Sequence, residues 1–299
     1  MFLIFVPLIV LCSTATTGFS FHRENNACPR LIDYPVKAFS SRCYVNPNPD
    51  MIKQNGYKCG TYKVVSEDGY TSLIFRVLPR EDDGGGKGQP IILEHGIEIN
   101  SAAWTWMGNR SLGSPFVLAK AGYDVWLVNQ RDSGYTTHNK YKTSDSRFWA
   151  NSLDDYASKG EPAILKTVAA ETNKSGSIIF IGHSRATITS FMYMSENPQE
   201  AEKFIRGVVA LSPAAYLDFS FHFRIVARLS PLILNIIPVT VKRIFEELGS
   251  SEKEYHSVPI GVDDKRLQFG HDDFIWSRYI EELFYKDLFK VLNKLKPKG

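Results

Sequence analysis

Short apolar segments alternate with longer amphipathic segments between residues 91 and 211. Strands are predicted at residues 91–94, 124–128, 178–181 and 207–211, and helices at residues 115–121, 153–171 and 185–195. Apolar strands joined by helices are typical of a parallel sheet covered on both faces. Two earlier strands, at residues 62–65 and 72–77, flank a turn containing Gly69. The pattern therefore predicts an α/β fold, with a mostly parallel sheet and an antiparallel N-terminal edge.

Composition is consistent with one large globular domain. The chain has 299 residues, of which 43% are hydrophobic and 22% are charged. These proportions exclude a disordered chain. The net charge of +3 is too small to favour a nucleic-acid partner.

Residues 1–20 carry no charged side chain and begin with an apolar run at residues 2–12. That run is shorter than the roughly 20 residues of a membrane span. Small residues follow it, so the segment is predicted to be a cleaved secretory signal peptide, with a signal anchor as the alternative. The mature chain is then expected to be secreted and to contain no transmembrane helix.

Three cysteines and two glycosylation sequons lie in the expected mature chain. Cys28, Cys43 and Cys59 allow at most one bridge within the chain, and sequence alone leaves the pairing open. Asn109 and Asn173 each begin an Asn-X-Ser sequon, which predicts exposed, glycosylated loops in a secreted protein.

The segment Gly182-His183-Ser184-Arg185-Ala186 directly follows one predicted strand and opens the next helix. A serine flanked by small residues two positions away, between a strand and a helix, is the pattern of the nucleophile elbow in α/β-hydrolases. The sharp turn raises the hydroxyl group above the sheet. Ser184 is therefore the predicted nucleophile. Ala186 stands where a second glycine is usual.

His95-Gly96-Ile97 follows the strand at residues 91–94. In this fold the loop after that strand supplies one backbone N–H to the oxyanion hole, and the residue after the nucleophile supplies the other. These positions are Ile97 and Arg185. Because both donors are backbone groups, their geometry matters more than their side chains. A plain turn is the alternative reading of His95-Gly96.

Three histidines follow Ser184 and are candidates for the general base. His222 comes soon after the strand at residues 207–211, and His256 is expected in a short linker. His271 immediately precedes the last predicted helix, at residues 276–296. The catalytic histidine of α/β-hydrolases lies on such a loop, so His271 is the predicted base.

Asp263 and Asp264 are the candidates for the acid that orients the base. They follow Val258-Pro259-Ile260, which is expected to begin a strand. The interval between Asp264 and His271 is too short for the helix and strand that normally intervene. The alternatives are that one of these aspartates serves or that the acid is missing.

An uncharged segment at residues 229–241 interrupts the strand–helix alternation. Pro231 and Pro238 break it, and Arg228 and Lys242 flank it. It is too short to span a bilayer. It is interpreted either as a buried helix pair or as a mobile lid that contacts a lipid–water interface.

Several motifs together resemble the acid lipase family, which contains the gastric and lysosomal acid lipases. The resembling stretches are Gly56-Tyr57, residues 64–70, Leu93-Glu94-His95-Gly96, residues 121–131, Phe148-Trp149-Ala150, Gly182-His183-Ser184 and residues 271–276. The resemblance implies an α/β-hydrolase fold with a helical cap, a serine mechanism without metal or cofactor, and lipid ester substrates. It implies secretion or delivery to the lysosomal lumen. Its nucleophile, base and oxyanion residues correspond to Ser184, His271, Ile97 and Arg185.

The sequence departs from the family pattern in two ways that bear on its function. Arg185 replaces the usual glutamine after the nucleophile, and Ser184 and His271 are closer in sequence than in the family. The expected organisation is a core at residues 56–214, a reduced cap or lid at 215–255 and a C-terminal core segment at 256–299. The favoured hypothesis is a secreted lipid esterase. The alternative is a catalytically impaired relative or truncated isoform that binds lipid.

Overall fold

The structure is a computed structural model. It describes residues 8–13, 47–78, 88–97, 99–105, 114–213, 237–258, 273–276 and 280–297. Three predicted site residues, His271, Asp263 and Asp264, lie outside these residues, as do His222, Asn109, Cys28 and Cys43.

Nine strands form one sheet in the order β2-β3-β5-β4-β7-β8-β1-β9, and β6 pairs with β3 beside this path. The strands are β1 Leu8–Ser13, β2 Lys58–Val65, β3 Tyr70–Leu78, β4 Pro90–Glu94, β5 Asp124–Val128, β6 Thr136–His138, β7 Ile178–His183, β8 Ile205–Leu211 and β9 Lys253–Val258. Pairs that involve β2, β3 or β6 are antiparallel, and the other pairs are parallel. The predicted α/β sheet with its antiparallel N-terminal edge is confirmed.

Helices cover both faces of the sheet. They are α1 Pro47–Gln54, α2 Ser114–Lys120, α3 Leu153–Asp155, α4 Glu161–Thr172, α5 Arg185–Glu196, α6 Pro198–Glu202, α7 Ile237–Glu247, α8 Asp273–Trp276 and α9 Lys286–Leu295. A π-helical turn, Tyr156–Gly160, joins α3 to α4, and another, Glu281–Tyr285, precedes α9. No helix in these described segments is both long enough and apolar enough to cross a bilayer.

Alternate residues of the central strands enter two separate cores, because successive side chains of a strand point to opposite faces. Ile91 and Leu93 pack in one core with α2 and α9. Ile92 packs in the other core with residues of α4 and α5. Apolar residues of α9, including Leu288 and Val291, are buried.

The predicted signal peptide includes β1. Leu8–Ser13 lies between β8 and β9 and is parallel to both, with Leu8 opposite Val208 on one side and opposite Lys253 on the other. A chain that loses residues 1–20 therefore also loses the strand that joins β9 to the rest of the sheet.

The last described strand, β9, lies earlier in the chain than the sequence predicts. A strand was expected to begin at Val258, but the structure ends β9 there. His256 consequently lies within a strand and not in a linker. Few residues of Lys253–Val258 are apolar, and the following Pro259 lacks the N–H that a ladder requires. The lid segment at residues 229–236 lies outside the described residues, and α7 begins at Ile237.

Candidate active site

Ser184 occupies a strained turn between β7 and α5. Its φ is 54° and its ψ is −116°, a region that favours glycine and that costs other residues free energy. The Ser184 N–H donates a hydrogen bond of 3.0 Å to the Leu211 carbonyl of β8. Its side chain remains partly exposed while the residues on either side are buried. This backbone geometry is that of the elbow predicted from the sequence.

The small residues around Ser184 are required by close packing. A Cβ atom on Gly182 would lie 3.3 Å from the Ala186 Cβ and 2.9 Å from Cε1 of Phe180. Ala186 is fully buried. The alanine that replaces the usual glycine therefore fits the elbow, but a side chain at residue 182 does not.

The loop after β4 lies directly against the elbow. Glu94 is opposite Gly182 in the sheet register. A Cβ atom on Gly96 would lie 3.2 Å from the Ser184 Cβ and 3.1 Å from Nδ1 of His183. The structure thus places the loop that carries Ile97 against Ser184 and Arg185 at the C-terminal edge of the sheet. Ile97 is 61% exposed, which leaves an apolar side chain at the rim of the site.

His95 fixes this loop and remains neutral. It is fully buried, its Nδ1 lies 2.8 Å from the Gly96 carbonyl oxygen, and its Nε2 accepts from the Gln130 N–H at 3.3 Å. These partners assign the proton to Nδ1, which donates to Gly96. Burial, with the nearby Arg185 guanidinium, lowers the pKa of His95 to about 4. His95 is therefore a support for the loop and not a general base near neutral pH.

Two buried carboxyl groups lie behind the loop. The Gln130 Nε2 donates to Oε1 of Glu94 at 2.9 Å and to Oε1 of Glu161 at 3.5 Å, and the Thr189 hydroxyl donates to Oε1 of Glu161 at 2.7 Å. Burial raises the pKa of Glu94 to about 7. Burial and the neighbouring Glu94 raise the pKa of Glu161 well above its usual value. The pair therefore holds at least one proton in acid.

The π-helical turn makes room for this cluster. Gly160 is its last residue, and a Cβ atom there would lie 2.7 Å from Oε1 of Gln130. Such turns are frequent at functional sites. Gln130 reaches both carboxyl groups because residue 160 has no side chain.

Arg185, which is buried, forms an ion pair with the partly exposed Asp132. Its Nη1 donates to Oδ2 of Asp132, and its Nη2 donates to Oδ1 at 3.1 Å. The guanidinium carbon lies 4.5 Å from the centroid of the Tyr156 ring. Burial alone would raise the pKa of Asp132, but the charge and hydrogen bonds of Arg185 hold it below its usual value. The carboxylate therefore stays charged in mild acid.

Sequence reasoning did not predict roles for Asp132, Tyr156 or Glu161. A polar run, Asn129-Gln130-Arg131-Asp132, follows a fully buried strand. In parallel sheets such positions lie at the edge where sites form. This run could have indicated residues near the site, but it does not indicate which side chain each of them contacts.

Other predicted site residues have separate locations. Asn173 is exposed at the C-terminal end of α4, in a place open to glycosylation. Cys59 is a half-buried free thiol. His256 Nε2 lies 3.1 Å from Oε2 of Glu254. Within the described residues, no cluster of three His, Cys, Asp or Glu side chains is arranged to hold a metal ion.

The chain resembles known proteins over this same region. The sequence model of the partial alpha/beta-hydrolase lipase region matches residues 48–108, and that of the alpha/beta hydrolase fold matches residues 89–229. Together they span more than half of the chain. The chain belongs to the lipase family of α/β-hydrolases.

Relatives of this chain include gastric and lysosomal acid lipases. It is 36% identical over 174 residues to gastric triacylglycerol lipase of Rattus norvegicus, an alignment that covers 57% of this chain and 43% of that protein. It is 35% identical to lysosomal acid lipase/cholesteryl ester hydrolase of Macaca fascicularis, over 58% of this chain and 45% of that protein. Lipase member N of Homo sapiens is 30% identical over 79% of this chain and 56% of its own length. The chain thus spans about half the length of these relatives.

Proposed function

We propose that this lipase is a secreted serine hydrolase that cleaves carboxylic esters of lipids through an acyl-enzyme. The observation that carries the proposal is the strained Ser184 turn with the Gly96 loop packed against it. Strain and partial exposure suit a nucleophile that must approach a substrate carbonyl. The names of the gastric and lysosomal relatives support a lipid ester as the substrate.

In the proposed reaction Ser184 Oγ attacks the ester carbonyl carbon while His271 accepts the hydroxyl proton. The backbone N–H groups of Ile97 and Arg185 stabilise the oxyanion. The alcohol leaves with the proton from His271, and the acyl group stays on Ser184. Water then attacks the acyl carbon, so that the fatty acid is released and Ser184 is regenerated.

The proposed position of the base is supported by α8. This helix begins two residues after His271, and it packs against the 3₁₀ turn Ser101–Trp104, which follows the Gly96 loop in the chain. Phe274 of α8 is completely buried and packs edge-on against Phe284 at 5.2 Å. The chain thus returns to the site edge directly after His271, and Asp263 or Asp264 is proposed to orient that histidine.

The N-terminal segment and the two sequons suggest where the protein acts. Residues 1–20 direct the chain into the secretory pathway, towards the medium or the lysosomal lumen, and Asn109 and Asn173 are glycosylated there. The part of residues 215–255 that precedes β9 supplies a reduced cap that contacts the lipid–water interface. No cofactor or metal takes part.

A second candidate is a lipid-binding protein with impaired catalysis. The chain aligns with only part of each relative, and the interval between Ser184 and His271 is too short for the usual acid-bearing strand. A missing triad acid can lower the rate about 10⁴-fold, which favours this candidate. Protein purified from culture medium would be treated with a fluorophosphonate probe and with p-nitrophenyl butyrate, and Ser184→Ala would be the control. Labelling confined to Ser184 with ester turnover supports the hydrolase. Binding of a fluorescent fatty acid without labelling supports the second candidate.

A further inference from the structure

The ion pair between Asp132 and Arg185 joins the two sides of the site. Asp132 lies in the segment after β5, and Arg185 is the first residue of α5 after the elbow. β4 runs between β5 and β7. The pair therefore crosses the C-terminal end of β4, where the His95-Gly96 loop begins.

The side chain of Arg185 has little freedom. Both terminal nitrogens bind the Asp132 carboxylate, and the guanidinium also faces the Tyr156 ring. Arg185 is 6% exposed, and the Asp132 side chain is 21% exposed. A planar guanidinium held at two points and stacked on a ring has a defined orientation.

We propose that Asp132 is a positioning residue for the reaction of Ser184, because it holds the Arg185 side chain and thereby orients the Arg185 backbone N–H towards the oxyanion. This inference rests on the proposed hydrolase function and identifies what prepares one of its two oxyanion donors.

The reason lies in the first turn of α5. The first backbone N–H groups of a helix have no intrahelical partner, so the peptide between Ser184 and Arg185 lacks that restraint. An anchored side chain fixes the Cα atom of Arg185 and limits rotation of this peptide. Donors that are already oriented stabilise developing charge without reorganisation. Because the Asp132 carboxylate stays charged in mild acid, the anchor persists there.

A second partly buried ion pair, between Arg76 and Asp124, supplies a matched control. Arg76 Nε and Nη2 donate to the two carboxylate oxygens of Asp124, each at 2.7 Å. Asp124 begins β5, whereas Asp132 follows its end. Both pairs are bidentate and have one buried and one partly exposed side chain, but only the Asp132 pair includes a residue of the elbow.

The experiment compares full-length wild type, Asp132→Asn and Asp124→Asn. It measures the second-order rate constant for phosphonylation of Ser184 by a fluorophosphonate, the kcat and KM for p-nitrophenyl butyrate, and the melting temperature. Asp132→Asn is expected to lower the phosphonylation rate constant and kcat by about 10- to 100-fold with little change in KM, since loss of one donor costs about 10²- to 10³-fold. Asp124→Asn is expected to melt earlier but to react at the wild-type rate per folded molecule.

A wild-type rate for folded Asp132→Asn, or an equal loss in Asp124→Asn, overturns the inference and leaves the proposed function intact. An unreactive wild-type Ser184 overturns the proposed function and this inference with it. If Asp132→Asn does not fold, Arg185→Lys is measured instead. Lysine keeps the charge opposite Asp132 but cannot bind both oxygens in a plane. A slowed reaction is then expected, and a wild-type rate overturns the inference.

Discussion

Gly96 approaches Ser184 so closely that a Cβ atom on the glycine would lie 3.2 Å from the Cβ of the serine. This contact joins the two loops that carry the proposed oxyanion donors, Ile97 and Arg185. The spacing between those donors is therefore set by the absence of a side chain at residue 96, and the site is sensitive to a single methyl group.

Gly96→Ala is expected to lower kcat/KM for p-nitrophenyl butyrate by about 10- to 100-fold, because displacement of a donor by a fraction of an ångström weakens oxyanion stabilisation. The control is Gly134→Ala, since a Cβ atom on Gly134 meets nothing within 4 Å. Both variants would be tested for folding by circular dichroism. Equal activity of the two alanine variants would contradict this account of the loop contact.

The buried Glu94–Glu161 pair predicts a dependence of stability on pH. The pKa of Glu94 is raised from 4.5 to about 7 in the folded protein. As the pH rises from about 4.5 to about 7, the unfolded chain loses this proton while the folded chain keeps it. The contribution of Glu94 to the free energy of unfolding is therefore largest in acid, where it stabilises the folded protein. It falls over this interval by up to about 3 kcal/mol, at ~1.4 kcal/mol per pKa unit.

Denaturant unfolding at pH 4.5, 6 and 7.5 would measure this fall. Glu161→Gln is expected to reduce this fall, because the amide does not titrate and so removes the contribution of the raised Glu161 pKa. The exposed Glu196→Gln serves as the surface control and should keep the wild-type dependence. A Glu161→Gln curve as steep as the wild-type curve would exclude the carboxyl pair as the source.

The parts of the fold that were predicted from sequence depend on local patterns. Strands β4, β5 and β7 are buried over their whole length and each has an apolar run of at least three residues. The elbow at Ser184 has a short, specific motif, and each of these elements is predicted to within two residues. The ion pair between Asp132 and Arg185 was not predicted, because its partners are 53 positions apart and no local period relates them. β9 was misplaced because its residues lack a clear apolar pattern, and β1 was interpreted only as a targeting segment.

His271→Ala is expected to lower ester turnover by about 10²- to 10⁴-fold, which is the usual contribution of a general base. His256→Ala is the matched control, since His256 lies in β9 beside Glu254, and its activity should stay within about twofold of wild type. Both variants would be compared with wild type at equal folded concentration. Turnover that survives His271→Ala but not His256→Ala would refute the assignment of the base.

The segment at residues 229–241 is expected to bind lipid surfaces. It is uncharged, and the basic residues Arg224, Arg228, Lys242 and Arg243 flank it, a pattern suited to anionic head groups. Co-sedimentation with vesicles containing phosphatidylserine would compare wild type with the double variant Leu232→Asp, Ile236→Asp. The variant is expected to lose at least tenfold in affinity. Equal binding by two equally folded proteins would leave the buried-helix interpretation.

Signal cleavage is expected to remove the N-terminal strand, β1. Leu8–Ser13 lies between β8 and β9 and pairs with both, yet the proposed signal cleavage removes it. The secreted chain is therefore expected to begin at about residue 19 to 21 and to expose the inner edge of β9.

Hydrogen exchange would compare the secreted chain with the unprocessed chain produced without translocation. The amide of Tyr255, opposite Val10 in the unprocessed chain, is expected to exchange at least tenfold faster after processing, because local opening no longer breaks a strand pair. The amide of Phe180 in β7, which lies between β4 and β8 in both chains, should exchange at the same rate. A secreted chain that still begins at Met1, with Tyr255 protected, would instead make β1 a permanent strand of the sheet and remove the signal-peptide interpretation.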